Sequence, residues 1–166
     1  MYGFFVSLHG MTASFREPSS HLYQATLPLP PISALVGMAG AALGKSFEEA
    51  WPFFKDAGLF VGVSGKAGGN GIDLWNYDKM AVPKGSEELA CAKLYGLSKV
   101  VRKDILNREF LANPEFFVFY ALGDQEKAAC LHSAFKDPVY ALSLGSSDDI
   151  ALVRKVSALC AIGDGE

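Results

Sequence analysis

Apolar and polar positions divide the first part of the chain into three segments. Met1 to Leu8 is rich in aromatic and β-branched residues, which predicts a strand buried on both faces. A polar loop follows, and Pro30-Pro31 then leads into an apolar run, Ile32 to Leu43, that predicts a buried helix with Ser33 as its candidate cap. Gly44 is suited to end that helix. As a helix the run would span about 18 Å, less than the ~30 Å core of a bilayer, so no membrane span is predicted.

The same reading of periodicity and turn residues places the later elements. Ile150 to Ile162 is amphipathic, and its pattern does not decide between helix and strand. The other expected elements are a helix from Ser46 to about Lys55, a strand at Leu59–Ser64, a strand at Glu115–Leu122, a helix at Gln125–Phe135 and a fourth strand at Val139–Leu144.

A long excursion lies between the two halves of this pattern. Asp73–Val82 and Ala92–Arg102 are predicted as the arms of a hairpin, with the polar stretch PKGSEE at its exposed tip. Without the excursion the order is β-α-β followed by β-α-β. That order predicts an α+β fold of the ferredoxin-like (RRM-like) type, an antiparallel sheet with two helices on one face. Many unrelated functions share this fold, so it does not fix an activity.

Composition and charge limit the function classes. The chain has 166 residues, half of them hydrophobic, which predicts one domain with a substantial core. Its formal net charge is −3, which argues against strong autonomous binding to nucleic acid. Positive charge is nevertheless concentrated in and after the predicted hairpin, at Lys79, Lys84, Lys93, Lys99, Arg102, Lys103 and Arg108.

One string is similar to a phosphate-binding loop. AGAALGKS, residues 39–46, matches the G-x-x-x-x-G-K-[ST] pattern except that Ala39 replaces the first glycine. The mechanism requires a strand before the loop and a helix that begins after it. Here the preceding residues predict a helix and Gly44 ends it, so a nucleotide-binding enzyme is the weakest of the functions considered.

The sequence predicts no cofactor, no metal and no disulfide. The widely spaced Cys91, Cys130 and Cys160 fit reduced, partly buried thiols of a cytoplasmic protein. The N-terminal residues lack the basic start and the cleavage pattern of a signal peptide. Asp148-Asp149 fits a capped turn better than a metal site, because no second carboxylate cluster accompanies it.

The polar loop before the first helix carries candidate chemistry. Arginine pairs with phosphate or stacks on a base, and aromatic rings stack on single-stranded bases, so Arg16 with Phe15 and Tyr23 with Gln24 are candidate RNA contacts. The alternative is that Phe15 belongs to the core and Arg16 is merely solvated. A metal-independent ribonuclease would need a base, an acid and a cation, roles that His21, Tyr23 and either Lys45 or Arg16 could fill. Their spacing does not require this.

Several strings together resemble the CRISPR-associated Cas-five family of the RAMP superfamily. GMTASFREPSSHLYQATLPLPPISALVGMAGAALG is similar to that family's glycine after the first strand, its ASFR-type segment, its proline-rich stretch and its small-residue helix. GIDLWNY and NREFLANPEFFVFYAL resemble the arm after the glycine turn and the arginine-led approach to the next strand. YALSLGSSDDIA is similar to the late strand and its Leu-Gly-x-Ser-Asp turn.

The resemblance implies a fold and a role. The implied fold is a single ferredoxin-like domain, residues 1–166, with a thumb at approximately 65–105 and a short C-terminal segment at 150–166. Many relatives continue further at the C-terminus, so no second C-terminal sheet is expected here. The implied role is to bind the 5′ handle of the guide RNA in a type I Cascade-like surveillance complex in the cytoplasm, beside a backbone (Cas-seven type) subunit and the large subunit.

The resemblance also implies contact residues. The family's motifs place Ser14, Phe15, Arg16 and Arg108 toward the handle, and the thumb's Lys99, Arg102 and Lys103 near RNA. His21, Tyr23 and Gln24 follow from the exposure expected of the loop. One subtype of the family cleaves precursor RNA with a Tyr-Lys-His set that no motif locates here. The leading hypothesis is therefore a non-catalytic RNA-binding subunit, and the alternative is a metal-independent endoribonuclease.

Overall fold

The computed structural model describes residues 1–20 and 23–163, and within them it contains four helices and two sheets. The predicted mixed α+β architecture is confirmed. The elements are β1 Tyr2–His9, β2 Thr12–Ala13, β3 Tyr23–Gln24, α1 Ile32–Ala42, α2 Phe47–Asp56, β4 Phe60–Lys66, β5 Gly69–Ala81, α3 Ser86–Leu94, β6 Val100–Ala112, β7 Glu115–Leu122, α4 Gln125–Lys136, β8 Leu152–Val156 and β9 Cys160–Ala161.

The main sheet has the strand order β4-β7-β1-β8, and the short β9 also pairs with β1. Every pairing in it is antiparallel. Residues alternate between the two faces of β1: Phe4, Val6 and Leu8 are buried, whereas Phe5 is 54% exposed. The prediction that the first strand is buried on both faces is therefore wrong. Phe4 packs in the core on one face of the strand, and the Phe5 ring lies on the opposite face.

Helices cover one face of this sheet and close the core. Residues of α1, α2 and α4 pack with the inward residues of β1 and β7 in one hydrophobic cluster. The Tyr120 hydroxyl, fully buried, donates a 3.1 Å hydrogen bond to the Leu35 carbonyl and so ties β7 to α1. Desolvation raises the pKa of Tyr120, which keeps this phenol protonated as a donor.

At the junction between α1 and α2, AGAALGKS does not have the strand-loop-helix geometry of a nucleotide-binding loop. Gly44 has φ +72°, and the amides of Gly44 and Lys45 donate to the carbonyls of Ala41 and Gly40, which closes α1. Ser46 then caps α2 in a reciprocal arrangement with Glu49. At the other end of α1 the cap residue is Pro31, without a side-chain hydrogen bond, so the cap predicted at Ser33 is wrong.

The second sheet is built on β6, which pairs with β2, β3 and β5. β5 and β6 run antiparallel from the Gly69–Ala112 pair to the Ala81–Val100 pair, and α3 lies at the far end. We call β5, α3 and β6 the ribbon. The predicted arm Asp73–Val82 overlaps β5, but the arm predicted at Ala92–Arg102 is wrong. Ala92 lies in α3, and the alternation of β6 begins only at Val100 and continues to Ala112.

The fourth strand of the main sheet is also not where the sequence placed it. Val139–Leu144 is not a strand; the amides of Val139 and Tyr140 donate to the carbonyls of Ala42 and Ala41 at the end of α1. The segment therefore satisfies the helix terminus instead of a strand edge. The edge position is taken by β8, within the segment whose type the sequence left undecided.

Two further predictions concern the surface. All three cysteines are free and exposed, so their predicted partial burial is wrong. Among the described residues, no helix combines the length and apolar character that crossing a bilayer requires.

Candidate nucleic-acid interface

A cleft of about 480 Å³ lies between the loop after β1, the start of α1 and the base of the ribbon. Arg16 and Gln24 of the loop, and Trp75 and Arg108 of the ribbon, contribute its larger side chains. The other residues around it are Ser14, Phe15, Ala25, Thr26, Pro31, Ser33, Ala34, Glu109, Gly145 and Ser146.

The loop that carries Ser14 is fastened to the late turn by a buried carboxylate. Asp149 is 3% exposed, and it accepts hydrogen bonds from the hydroxyls of Thr12 and Ser14, each at 2.5 Å. The Ser14 amide also donates to the Leu144 carbonyl at 3.0 Å. Because its hydroxyl and amide are both used internally, Ser14 acts in this structure as an anchor of the loop.

Gly145 allows the late turn to approach the loop closely. Its φ is +105°, and a Cβ built on it would lie 1.9 Å from the Ser14 carbonyl oxygen. A side chain at this position would therefore collide with the backbone of the loop, and it would also strain the turn. Glycine is the residue that fits here.

The outgoing and returning parts of the loop are bonded to each other. Leu27 donates its amide to the Phe15 carbonyl at 2.7 Å, and Phe15 donates its own to the Thr26 hydroxyl at 2.9 Å. The Phe15 ring is 2% exposed and packs edge-on against Phe116, with their centroids 5.8 Å apart. This burial agrees with the alternative that Phe15 belongs to the core, and its contact with RNA stays a prediction.

The Arg16 side chain, unlike the Phe15 ring, lies outside the core. It is exposed, it faces Thr26 in an isolated bridge, and it lines the cleft. Within residues 1–20 and 23–163 its guanidinium takes part in no ion pair. Arg16 is thus a cation at the cleft whose charge the described part of the protein leaves uncompensated.

Arg108, the other arginine predicted to contact RNA, is already paired with other residues of the protein. Its side chain is 11% exposed, and Nη2 lies 3.1 Å from Asp73 and 3.2 Å from Asp148. The guanidinium also lies over the Trp75 ring, 4.6 Å from its centroid. Its Nε is buried and has no hydrogen-bond partner among the described residues. The charge of Arg108 is largely neutralised before any ligand binds.

The pKa shifts agree with this neutralisation. Desolvation would lower the pKa of Arg108, but the hydrogen bonds and charges of Asp148 and Asp73 outweigh it and raise the pKa. Hydrogen bonds from Ser146 and then from Arg108 lower the pKa of Asp148. The pair is therefore fully ionised at neutral pH, and it joins the late turn to the ribbon.

The returning part of the loop, which leads to α1, is hydrogen-bonded to Glu109. Tyr23 donates its hydroxyl to this carboxylate at 2.6 Å, and the Thr26 amide donates to the other oxygen at 3.2 Å. The hydrogen bond to Glu109 is the main reason why the pKa of Tyr23 is raised. Gln24, the next residue along, pairs with Arg108 in the parallel register of β3 on β6 and lines the cleft.

Comparison with known proteins now decides the family. The family model described as CRISPR-associated protein (Cas_Cas5) matches residues 5–166. The chain belongs to this family. No curated protein matches it.

Solved structures share the fold of this Cas_Cas5 chain. A chain of a CRISPR RNA-guided surveillance complex is similar to it with a TM-score of 0.62 at 20% identity, over 89% of this chain and 59% of that one. A structure described as a Cas protein is similar with a TM-score of 0.51 at 23% identity, over 87% of this chain and 57% of that one. The chain thus spans about three fifths of the length of both.

The ribbon residues expected near RNA in this Cas_Cas5 chain lie away from the cleft. Lys103 is about 17 Å from Arg108 along β6, and Lys99 is about 30 Å away, at the spacing of an extended strand. Strand alternation also turns Lys103 to the face opposite Arg108. Arg102 is held by Glu88 of α3, at 2.5 Å from Nη2 and 3.1 Å from Nε. The predicted contacts therefore divide into two separate groups.

The structure does not test the candidate ribonuclease set of the Cas_Cas5 chain, because His21 lies outside the described residues. Of the two candidate cations, Arg16 lines the cleft. Tyr23 is bonded to Glu109, and Lys45 lies over the Phe53 ring, 5.0 Å from its centroid, beside α2. Neither residue lines the cleft.

Sequence reasoning missed the acidic and aromatic partners that shape the cleft. Trp75, Asp73 and Glu109 are separated from the loop by many residues and meet it only through the register of β5 and β6. The Ser-Asp turn was visible, and Asp148-Asp149 was correctly predicted to form a turn. No local pattern in the sequence predicted which residues the turn contacts.

Proposed function

We propose that this chain is a non-catalytic subunit of a type I Cascade-like complex in the cytoplasm. In this proposal it binds the 5′ handle of the guide RNA and caps the assembly beside a backbone (Cas-seven type) subunit and the large subunit. Membership of the Cas_Cas5 family and the fold shared with a chain of an RNA-guided surveillance complex support this assignment.

The observation that carries the proposal is the uncompensated Arg16 at the mouth of the cleft. The cleft combines this cation with an amide side chain, Gln24, and an indole, Trp75. These groups suit a phosphate, the polar edge of a base and the face of a base, respectively. Arg108 stacks on Trp75 and also lines the cleft, so its role is to shape the cleft.

The sheet order supports a finer description of the fold. β1, β4, β7 and β8 with the intervening helices follow the β-α-β-β-α-β order, and the spatial order β4-β7-β1-β8 is that of a ferredoxin-like sheet. In this proposal the ribbon, inserted between β4 and β7, is the thumb. Its Lys99 and Lys103 would contact RNA at a distance from the cleft.

The net charge of −3 fits a subunit that holds RNA as part of an assembly. Strong binding by an isolated protein requires several phosphate contacts, and the cleft offers one uncompensated arginine. Neighbouring subunits would supply the remaining positive charge.

The decisive experiment is assembly with the other subunits and a guide RNA in one expression host. Arg16→Ala is expected to reduce recovery of RNA-containing complex severalfold, measured by gel filtration and by RNA content. Lys136→Ala is the matched control, because it removes an exposed positive charge at the end of α4, outside the cleft. Normal assembly of the Arg16 variant would refute the proposed contact.

The non-catalytic part of the proposal has its own test. Purified protein in excess over repeat RNA, in EDTA, is expected to give no cleavage product. Tyr23 supports this expectation, since its hydroxyl already donates to Glu109 and its raised pKa makes it a poor base at neutral pH. Product that disappears with Tyr23→Phe would establish the ribonuclease alternative instead.

A further inference from the structure

The face of the main sheet opposite the helices carries a cluster of phenylalanines. On the two central strands, Phe5 is 54% exposed and Phe117 is 53% exposed. Phe119 lies beside Phe5, with ring centroids 4.7 Å apart. We call this surface the outer face. Three aromatic rings on the central strands of an open sheet are unusual for a surface that only meets water.

The cross-strand partners of Phe117 are small. Ser7 of β1 and Ser64 of β4 are the cross-strand partners of Phe117. Gly62 is the partner of Phe119, and a Cβ there would lie 3.8 Å from that of Phe119. Because no bulky side chain stands on either side of Phe117, a flat ligand can reach the face of its ring.

Positive charge lies beside the rings. Lys155 is paired with Ser7, and Lys66 is paired with Glu115, so both lysines share the outer face with Phe117. Arg154 reaches the same Glu115, with Nη1 3.3 Å from its carboxylate. Three cations and one carboxylate give this end of the outer face a positive charge, opposite in sign to the chain as a whole.

We infer that the outer face binds single-stranded RNA, with bases stacked on Phe117 and on the Phe5–Phe119 pair and phosphates beside Lys66 and Lys155. Aromatic rings on a sheet accept any base, and nearby lysines hold the backbone without reading sequence. Phe117 and Phe119 are two residues apart on β7, about 7 Å. This is about twice the 3.4 Å rise of a stacked strand, so the bound bases must be splayed apart.

A protein partner is the other class of ligand that an apolar face could take. An aromatic centre suits either class of ligand, but the outer face differs from an ordinary protein interface because its rings lie beside lysines, which protein interfaces tend to lack. A second copy of this chain would also place the same lysines against each other. Both features favour the polyanion.

This inference shares only its class of ligand with the proposed function. None of the outer-face residues lines the cleft that contains Arg16. Loss of guide RNA assembly in the Arg16 variant and loss of RNA binding in a Phe117 variant are therefore separate outcomes.

The test is fluorescence anisotropy of the purified full chain with a labelled uridine-rich RNA of about 10 nucleotides. Phe117→Ala is expected to weaken binding about tenfold, since one stacking platform is lost. Phe117→Tyr should bind as the wild type does, and Phe117→Leu should resemble the alanine variant because it is apolar but cannot stack. Binding of an RNA duplex should be weaker than that of the single strand and insensitive to all three changes.

Tyr140→Ala is the control, because Tyr140 is an equally exposed aromatic residue, 58%, outside the sheet. Circular dichroism of each variant shows whether the fold is retained. Absence of RNA binding by the wild type, or full affinity in Phe117→Leu, would overturn the inference. Self-association that Phe117→Ala abolishes while RNA affinity stays unchanged would instead assign the outer face to protein contacts.

Discussion

At the scale of single residues, the two arginines predicted to contact RNA have different roles. Arg16 and Arg108 are both charged and both line the cleft, but only Arg108 is surrounded by carboxylates and stacked on an indole. A buried cation that loses its partners costs more than an exposed one gains from a salt bridge. Arg108 therefore holds the ribbon to the late turn, and Arg16 is the residue that remains available to a ligand.

Asp148 makes this link sensitive to acid. Its pKa is lowered in the folded protein, so its contribution to stability is complete above the ordinary carboxyl pKa of about 3.9 and is lost as the pH falls through the lower folded value. We expect wild type to be more stable than Asp148→Asn at neutral pH. The gap should narrow below about pH 4.

Urea unfolding of both proteins at a series of pH values measures this gap. The asparagine variant is its own control for the rest of the molecule, because all other titrating groups are common to both. A gap that stays constant down to pH ~2.5 would show that Asp148 is not linked to folding.

The residue scale also shows where sequence reasoning stops. Arg16 was identified from the ASFR string, and its exposure agrees with that interpretation. Phe15, in the same string, was considered either as an RNA contact or as a core residue, and it is buried. One strand position separates the two residues, and a sequence without its pairing partners does not say which parity faces the core.

At the scale of elements, the late turn and the loop after β1 depend on each other. Asp149 joins them by two hydroxyl hydrogen bonds, and Gly145 lets their backbones meet. The YALSLGSSDDIA string indicated a turn. Its tertiary role follows only from the contacts, because the loop and the turn are more than a hundred residues apart in sequence.

Gly145→Ala should therefore cost far more than an ordinary glycine substitution. Gly58 is the matched control: it has φ +62°, but nothing lies within 4 Å of its hypothetical Cβ. We expect Gly58→Ala to cost about 1 kcal/mol in unfolding free energy, and Gly145→Ala to cost at least about 2 kcal/mol more. Urea denaturation compares the two, and equal losses would mean that the close approach to Ser14 contributes nothing.

Within the ribbon, a salt bridge joins the helix to one of the strands. Arg102 holds Glu88, and this pair connects α3 to β6. We expect Arg102→Ala to speed hydrogen exchange of the amides of α3 while leaving the main sheet protected. Lys103→Ala, at the next residue and on the opposite face, should change neither. Unaltered exchange in α3 of the Arg102 variant would show that the helix is held by its apolar contacts alone.

The predicted boundaries of the elements were wrong in the ribbon and at β8, and the reasons are physical. The predicted arm Ala92–Arg102 combined helix-favouring residues of α3 with only the first three residues of β6. At Val139–Leu144 the composition favours a strand, but the nearest unsatisfied carbonyls belong to α1. In both places a tertiary partner decided the outcome.

At the scale of the whole molecule, an acidic protein presents two small positive regions. Arg16 lies at the cleft, and Lys66, Lys155 and Arg154 lie on the outer face. The net charge of −3 argued against strong autonomous binding to nucleic acid, and that argument stays a prediction. The α+β class followed from periodicity, since it depends on which elements exist and not on their boundaries.

This charge distribution predicts a shallow salt dependence. A single strand releases about 0.7 counterions per phosphate that is neutralised, so RNA held beside Lys66 and Lys155 on the outer face should show a slope of log K against log salt of about −1.4. Lys66→Ala should make the slope shallower by about 0.7, whereas Arg16→Ala, in the separate cleft, should not alter it. Anisotropy titrations at several salt concentrations measure the slope, and a value near zero would rule out phosphate contacts.

The continuity of β6 has a mechanical consequence. This 13-residue strand is unbroken from the tip of the ribbon to the wall of the cleft, and it spans about 43 Å. Because β2 and β3 pair with β6 only near its end, a sideways force on α3 would turn the ribbon about the residues where they join β6. A displacement of the tip would tilt the part of β6 that pairs with Gln24. A neighbouring subunit that pushes on α3 can therefore alter the width of the cleft without contacting the cleft.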